Sequence, residues 1–146
     1  MRRPIFLASD HAAVDLKADL AAWLRDQGHD VRDLGPETTD RVDYPDFGYK
    51  LARAVADTPD ALGIALCGSG IGISIAVNRV AECRCALVAE PVSAALAREH
   101  NDANVIAMGA RLVGPDMARA CVAAFLDTPF AGGRHAARVA KLGTPA

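Results

Sequence analysis

The sequence predicts one α/β domain in three layers, with a five-stranded parallel sheet covered by helices on both faces. Short strand-like runs at residues 5–8, 29–34, 61–65, 85–89 and 104–108, all apolar but the second, alternate with helical patterns, as in βαβ units joined by right-handed crossovers. Hydrophobic residues make up 51% of the 146 positions but aromatic ones only 5%, so the interior is built from Ala, Val, Leu and Ile, which suits buried parallel strands. There is no repeat, low-complexity tract or interdomain linker, so residues 1–146 read as a single domain with a C-terminal arm over about 128–146.

Residues 5–8 form the first strand. Ser9-Asp10-His11 follows, and then a helix with Leu16, Leu20, Trp23 and Leu24 on one stripe, stopped by Gly28. Residues 29–34 alternate in polarity, as an edge strand does. Residues 35–40 make a loop, and Asp43-Tyr44-Pro45-Asp46 opens a helix through Leu51, Ala54 and Val55. Strand 61–65 runs into Leu66-Cys67-Gly68-Ser69-Gly70-Ile71-Gly72-Ile73-Ser74, with a helix starting over 75–78. After strand 85–89, Pro91 takes a first helical position and its helix runs to about His100-Asn101. Strand 104–108 precedes a helix opened by Pro115, with Met117, Cys121, Ala124 and Phe125 on one face and Asp127-Thr128-Pro129 at its end. Gly132-Gly133 is a joint before a last helix over about 134–142.

A net charge of −2 argues against a nucleic-acid or membrane-surface binder, whose affinity rests on many basic contacts. The tail is nevertheless basic: no acidic residue follows Asp127, while Arg134, His135, Arg138 and Lys141 do. It is either a solvated terminal helix or a source of cations for an anionic ligand, in the same subunit or a neighbour. Cys67, Cys83, Cys85 and Cys121 form no CxxC pair and no metal-ligand spacing with the four histidines, so reduced thiols in the cytoplasm are the simpler account. The apolar run behind Met1-Arg2-Arg3-Pro4 is too short for a leader or a membrane span.

The stretch after the third strand carries the chemistry. Cys67 stands at the carboxyl end of a strand, where open α/β sheets bind ligands. Glycines at 68, 70 and 72 remove the Cβ atoms that hold a ligand off the backbone, and a helix start presents unpaired N–H groups to negative charge. A thiolate is stabilised in such a place, as a nucleophile or base requires; a buried structural thiol is the other reading. Gly68 and Gly70 match the first two glycines of a dinucleotide fingerprint, with Glu90 near the position of its ribose-binding acid. Ile73 replaces the third glycine, however, and the turn follows strand three rather than strand one. The Gly-Lys-Ser/Thr of a P-loop is absent, and Ile73 stands where a thiol phosphatase wants arginine. Asp10 and His11 either cap and pack the first helix or join the site, and His100 suits a helix end whether or not it is catalytic. Arg134 and Arg138, spaced i,i+4, leave one helical face and can grip a single dianion.

Together these segments carry a resemblance over roughly residues 4–140. Ser9-Asp10-His11, Asp43-Tyr44-Pro45, Cys67-Gly68-Ser69-Gly70-Ile71-Gly72-Ile73-Ser74, Glu90-Pro91, Arg98-Glu99-His100-Asn101-Asp102-Ala103-Asn104-Val105, Gly109-Ala110-Arg111 and Gly132-Gly133-Arg134-His135 resemble type B ribose-5-phosphate isomerase. Related members of that family act on allose 6-phosphate or galactose 6-phosphate. The resemblance implies a Rossmann-like fold and a metal-independent, cofactor-free aldose–ketose isomerase of the pentose phosphate pathway. It would interconvert ribose 5-phosphate and ribulose 5-phosphate through a cis-enediolate.

By the same resemblance Cys67 would be the base. The backbone of Gly68, Ser69, Gly70, Ile71 and Gly72 would hold the developing oxyanion, with the side chains of Ser69 and Asn101 assisting. His100 would open the sugar ring, Asp10 and Tyr44 would orient the sugar, and His11, Arg111, Arg134 and Arg138 would bind the phosphate. The family is a homodimer or tetramer with shared sites, so the C-terminal helix would reach a neighbouring subunit. Two other readings stay open: an isomerase of another aldose, phosphorylated or free, and a non-catalytic module binding a nucleotide or flavin phosphate at the same turn.

Overall fold

Strands β1 (Ile5–Ser9), β2 (Val31–Asp33), β3 (Leu62–Cys67), β4 (Cys85–Leu87) and β5 (Val105–Gly109) form one parallel sheet in the order β2-β1-β3-β5-β4. This is a computed structural model describing residues 3–145. Met1 and Arg2, from the segment read as too short for a leader, and Ala146, the end of the arm, lie outside the described residues. The helices are α1 (Val14–Asp26), α2 (Tyr44–Asp57), α3 (Ile71–Val77), α4 (Pro91–Asn101), α5 (Pro115–Asp127) and α6 (Arg134–Leu142). A single 3-10 turn, His11–Ala13, precedes α1.

The central strands are buried on both faces, as their continuous apolar runs require. Leu7, Ile64, Leu66 and Ile106 pack with Leu20, Leu24 and Phe125 of α1 and α5. On the opposite face Phe6, Ala65, Cys67 and Ala107 pack with Leu51 and Val55 of α2 and Ile73 and Val77 of α3. Alternation along β3 thus turns Cys67 toward the α2–α3 layer. After β1 the chain steps to β2 on one side and then to β3 on the other. The strand order therefore reverses between β1 and β3, the switch point at which such folds bind ligands.

Several boundaries differ from the sequence reading. β3 extends to Cys67, and α3 begins at Ile71 because Gly70, at φ 79, turns the chain there. β4 covers only three of the residues 85–89 read as a strand and lies on an edge, with Leu87 46% exposed. In α5 Met117 points outward, and Ala118 joins Cys121, Val122 and Phe125 in the core. No residue of α6 is buried, and the arm is tied to the body by the Ala131 N–H donating to the Glu99 carbonyl at 3.0 Å and by the Arg98 Nε–H donating to the Thr128 carbonyl at 3.3 Å. Among the described residues no helix is long and apolar enough to cross a membrane.

Candidate active site

The exits of β1 and β3 are stitched together at the switch point by the Asp10 N–H, which donates to the Leu66 carbonyl at 3.1 Å. Asp10 is buried, and its Oδ1 accepts the Ala12 N–H at 3.0 Å, capping the 3-10 turn. Across the switch point Cys67 is also buried, and its Sγ accepts the Gly70 N–H at 3.1 Å. Ser69 Oγ accepts the Ile71 N–H at 3.2 Å.

The glycines of this turn are required by the protein itself as well as by any ligand. A Cβ on Gly70 would lie 2.7 Å from the Met108 carbonyl carbon, and one on Gly72 would lie 2.6 Å from the Tyr44 ring. Tyr44, at the start of α2, therefore lies directly over the turn. On the other side the Arg111 N–H donates to the Gly68 carbonyl at 3.0 Å, which sets the guanidinium over that residue.

These contacts bring Asp10, Tyr44, Cys67, Ser69 and Arg111 around a cavity of about 310 Å³, with Gly68 and Gly72 in its wall. Leu112, which no sequence signal singled out, completes the lining. A larger cavity of about 500 Å³ lies between the β4 edge and the end of α6, and Asn101 alone of the predicted site residues reaches it. Size does not pick the site here. The smaller cavity holds a thiol, a carboxylate and a guanidinium at the switch point, and the larger one has no such set.

The remaining predicted residues form a second group. His100, in the last turn of α4, stacks on His135 of α6 with ring centroids 4.5 Å apart and planes 16° from parallel. Arg134 and Arg138 stand exposed on the same helix. The end of α4 is held by buried Arg98, which donates to Asp102 Oδ1 at 2.8 Å and to the Ala103 carbonyl at 2.7 Å. His100, Asn101, Arg134 and Arg138 do not line the Cys67 cavity of their own chain. His11 follows Asp10 but does not line that cavity, its Nδ1 lying 3.2 Å from both the nitrogen and the carbonyl oxygen of Val42.

The other three thiols do not line this cavity. Burial, with help from Glu82, pushes the Cys83 thiol up to about 11, and burial raises Cys85 and Cys121 as well. Such thiols stay protonated and inert at neutral pH. Glu90 is committed to capping α4, accepting the N–H groups of Val92 and Ser93 at 2.6 and 2.8 Å as well as the Ser93 hydroxyl. It is unavailable to a ribose, which removes the acid that a dinucleotide site needs.

An open parallel sheet with a thiol, a carboxylate and an arginine converging at its switch point defines an α/β enzyme acting on a small polar substrate. The family model described as Ribose/Galactose Isomerase matches residues 5–142, and the chain belongs to that family of isomerases. Ribose-5-phosphate isomerase B of Escherichia coli K12 is 42% identical over 137 residues, covering 94% of this chain and 92% of that one. D-erythrulose-4-phosphate isomerase of Pectobacterium atrosepticum is 41% identical over 140 residues, covering 95% and 92%. The structure of ribose-5-phosphate isomerase B from Mycoplasma genitalium with bound ribulose 5-phosphate superposes with a TM-score of 0.93 at 39% identity, covering 97% of this chain and 95% of that one.

Proposed function

We propose that this isomerase interconverts ribose 5-phosphate and ribulose 5-phosphate through a cis-enediolate, with Cys67 as the base. The observation that carries the reading is the Cys67 sulfur at the cavity wall with the Gly70 N–H aimed at it, a contact that supports negative charge on sulfur. The thiolate takes the C2 proton of the open-chain aldose. The C–H electron pair forms the C1=C2 bond, and the carbonyl π pair moves to O1. The thiol then returns the proton to C1 while a proton passes from O2 to O1, leaving the ketose. A positioned base of this kind contributes roughly 10²–10⁴-fold.

The Gly70 and Ile71 N–H groups are engaged with Cys67 and Ser69, so the enediolate oxygen falls to Gly68, Ser69 and Gly72. Each such donor is typically worth about 10²–10³ in rate. Asp10 and Tyr44 orient the sugar hydroxyls. Arg111 and His11 bind phosphate, the His11 ring being held through Nδ1 against the Val42 backbone, which leaves Nε2 for the anion.

Ring opening by His100, assistance from Asn101 and phosphate binding by Arg134 and Arg138 need a second copy of the chain, because none of the four reaches its own Cys67 cavity. Apolar side chains exposed beside the site support such an assembly: Ile71 and Ile75 on α3, Leu87 on β4, and Val92 and Leu96 on α4. In this reading a homodimer or larger assembly shares each site between subunits. The four free thiols fit a reducing cytoplasm.

A neighbouring substrate is the second reading, favoured by the closeness of the D-erythrulose-4-phosphate isomerase. One panel tests both, with turnover and solvent-proton exchange at C2 measured on ribose 5-phosphate, D-erythrulose 4-phosphate, allose 6-phosphate, galactose 6-phosphate and free aldoses. Ribose 5-phosphate is expected to give the highest kcat/KM. A higher value on another phosphorylated sugar moves the assignment to it, and indifference to phosphate returns Arg134 and Arg138 to the solvated surface.

A further inference from the structure

We propose that His135 is a positioning residue for His100, holding the ring-opening imidazole in place by stacking on it, with centroids 4.5 Å apart and planes 16° from parallel. The inference rests on the reading of His100 as the ring-opening group.

The stack joins two elements that little else holds together. α6 buries none of its residues, and the chain enters it through Gly132 and Gly133, both at positive φ. Apart from the Ala131–Glu99 backbone bond and the Arg98 Nε–H donating to the Thr128 carbonyl at 3.3 Å, both ahead of α6, the register of α6 itself on α4 depends on surface contacts such as the paired rings. A general acid–base group must hold its nitrogen within hydrogen-bond reach of the atom it serves, and a half-buried ring at a helix end turns freely unless something lies against its face. His135 supplies that face.

The charges around the pair act against a proton on His135. His100 from α4 and Arg134 and Arg138 from α6 oppose a positive charge on His135, and only Glu99 of α4 favours one. With desolvation as the largest cause, these neighbours hold His135 below the ordinary histidine value. His135 thus meets His100 as a flat face on which a positive charge is disfavoured.

Two variants of the full chain in its native assembly test this. His135→Ala removes the stacking face, and His135→Phe keeps it without a titrating nitrogen. His135→Ala is expected to lower kcat on ribose 5-phosphate about tenfold or more with KM little changed, because a small misplacement of a catalytic group is that costly. His135→Phe is expected to stay within about threefold of wild type, since the flat face is retained. Wild-type kcat in His135→Ala, or equal damage in both variants, overturns the proposal.

Proton NMR reads the stack without turnover. The His100 ring protons carry an upfield ring-current shift that His135→Ala abolishes and His135→Phe keeps, and the His135 titration moves up in His100→Asn. His100 shifts that are unchanged in His135→Ala overturn the stacking whatever the kinetics. Full turnover of ribose 5-phosphate by His100→Asn, with the NMR changes present, overturns the ring-opening role instead.

Discussion

Cys67 Sγ accepts the N–H of Gly70 at 3.1 Å, so the thiol and the turn that follows it form one unit. The residue that bends the chain into α3 is the same one that directs a donor at the sulfur. Removing the sulfur while keeping the bend separates the two roles. Cys67→Ala is expected to lose solvent-proton exchange into ribose 5-phosphate by roughly 10²–10⁴-fold or more while keeping its fold. Deuterium incorporation at C2 and far-UV circular dichroism check the two halves, and full exchange in this variant removes Cys67 as base.

Gly70→Ala addresses the bend. At φ 79, with the new Cβ 2.7 Å from the Met108 carbonyl carbon, the turn must shift away from β5. A loss of about 1–3 kcal/mol in stability is expected from the backbone conformation alone. A larger fractional loss in kcat should accompany it, because the donor to Cys67 moves with the turn. Urea unfolding and steady-state kinetics on the same sample compare them, and unimpaired kcat in a destabilised protein dissociates the turn from the thiol.

Under the proposed sharing of sites between subunits, two inactive variants rescue each other. Cys67→Ala and His100→Asn subunits, mixed under conditions that allow exchange, give mixed dimers with one intact site in two. About a quarter of wild-type activity is then expected at random exchange. Activity after mixing that equals the mean of the separate samples places both residues in a site within one chain.

Lys17 is almost fully buried on α1, with its ammonium 2.7 Å from both Asp33 oxygens. Asp33 also accepts the Gly35 N–H at 2.8 Å, and the Gly35 carbonyl accepts the Ser9 N–H at 3.1 Å, next to Asp10. Lys17→Met leaves this carboxylate without its cation. The expected cost is about 2–3 kcal/mol, discounted because a quarter of the Asp33 side chain stays in water. Thermal unfolding measures it. Asp33→Asn in the same background should add little, and full additivity of the two would show that the pair is not coupled.

Glu90 links stability to pH. Its hydrogen bonds, that of the Ser93 side chain first, hold its carboxyl below the usual glutamate range. A lowered folded value means that the unfolded chain binds the proton more tightly. The contribution is therefore complete above the unfolded value and is lost as pH falls through the folded one. Urea midpoints of wild type and Glu90→Gln should converge on acidification through that window. A constant difference between them would locate the effect in the cap geometry rather than in the charge.

The sequence by itself determined everything that depends on near neighbours along the chain. The alternation of apolar runs set the five strands and their helices, Pro91 and Pro115 marked helix starts, and the spacing of Gly68, Gly70 and Gly72 marked the turn behind Cys67. Those signals are local because periodicity and backbone freedom are local. Tertiary structure decided what depends on distant segments meeting. The order β2-β1-β3-β5-β4 put Asp10 opposite Cys67, left β4 on an edge and carried His100 and the arginines of α6 away from the cavity of their own chain. The same packing closed Tyr44 over Gly72 and laid His135 on His100, neither of which a spacing along the chain could have shown.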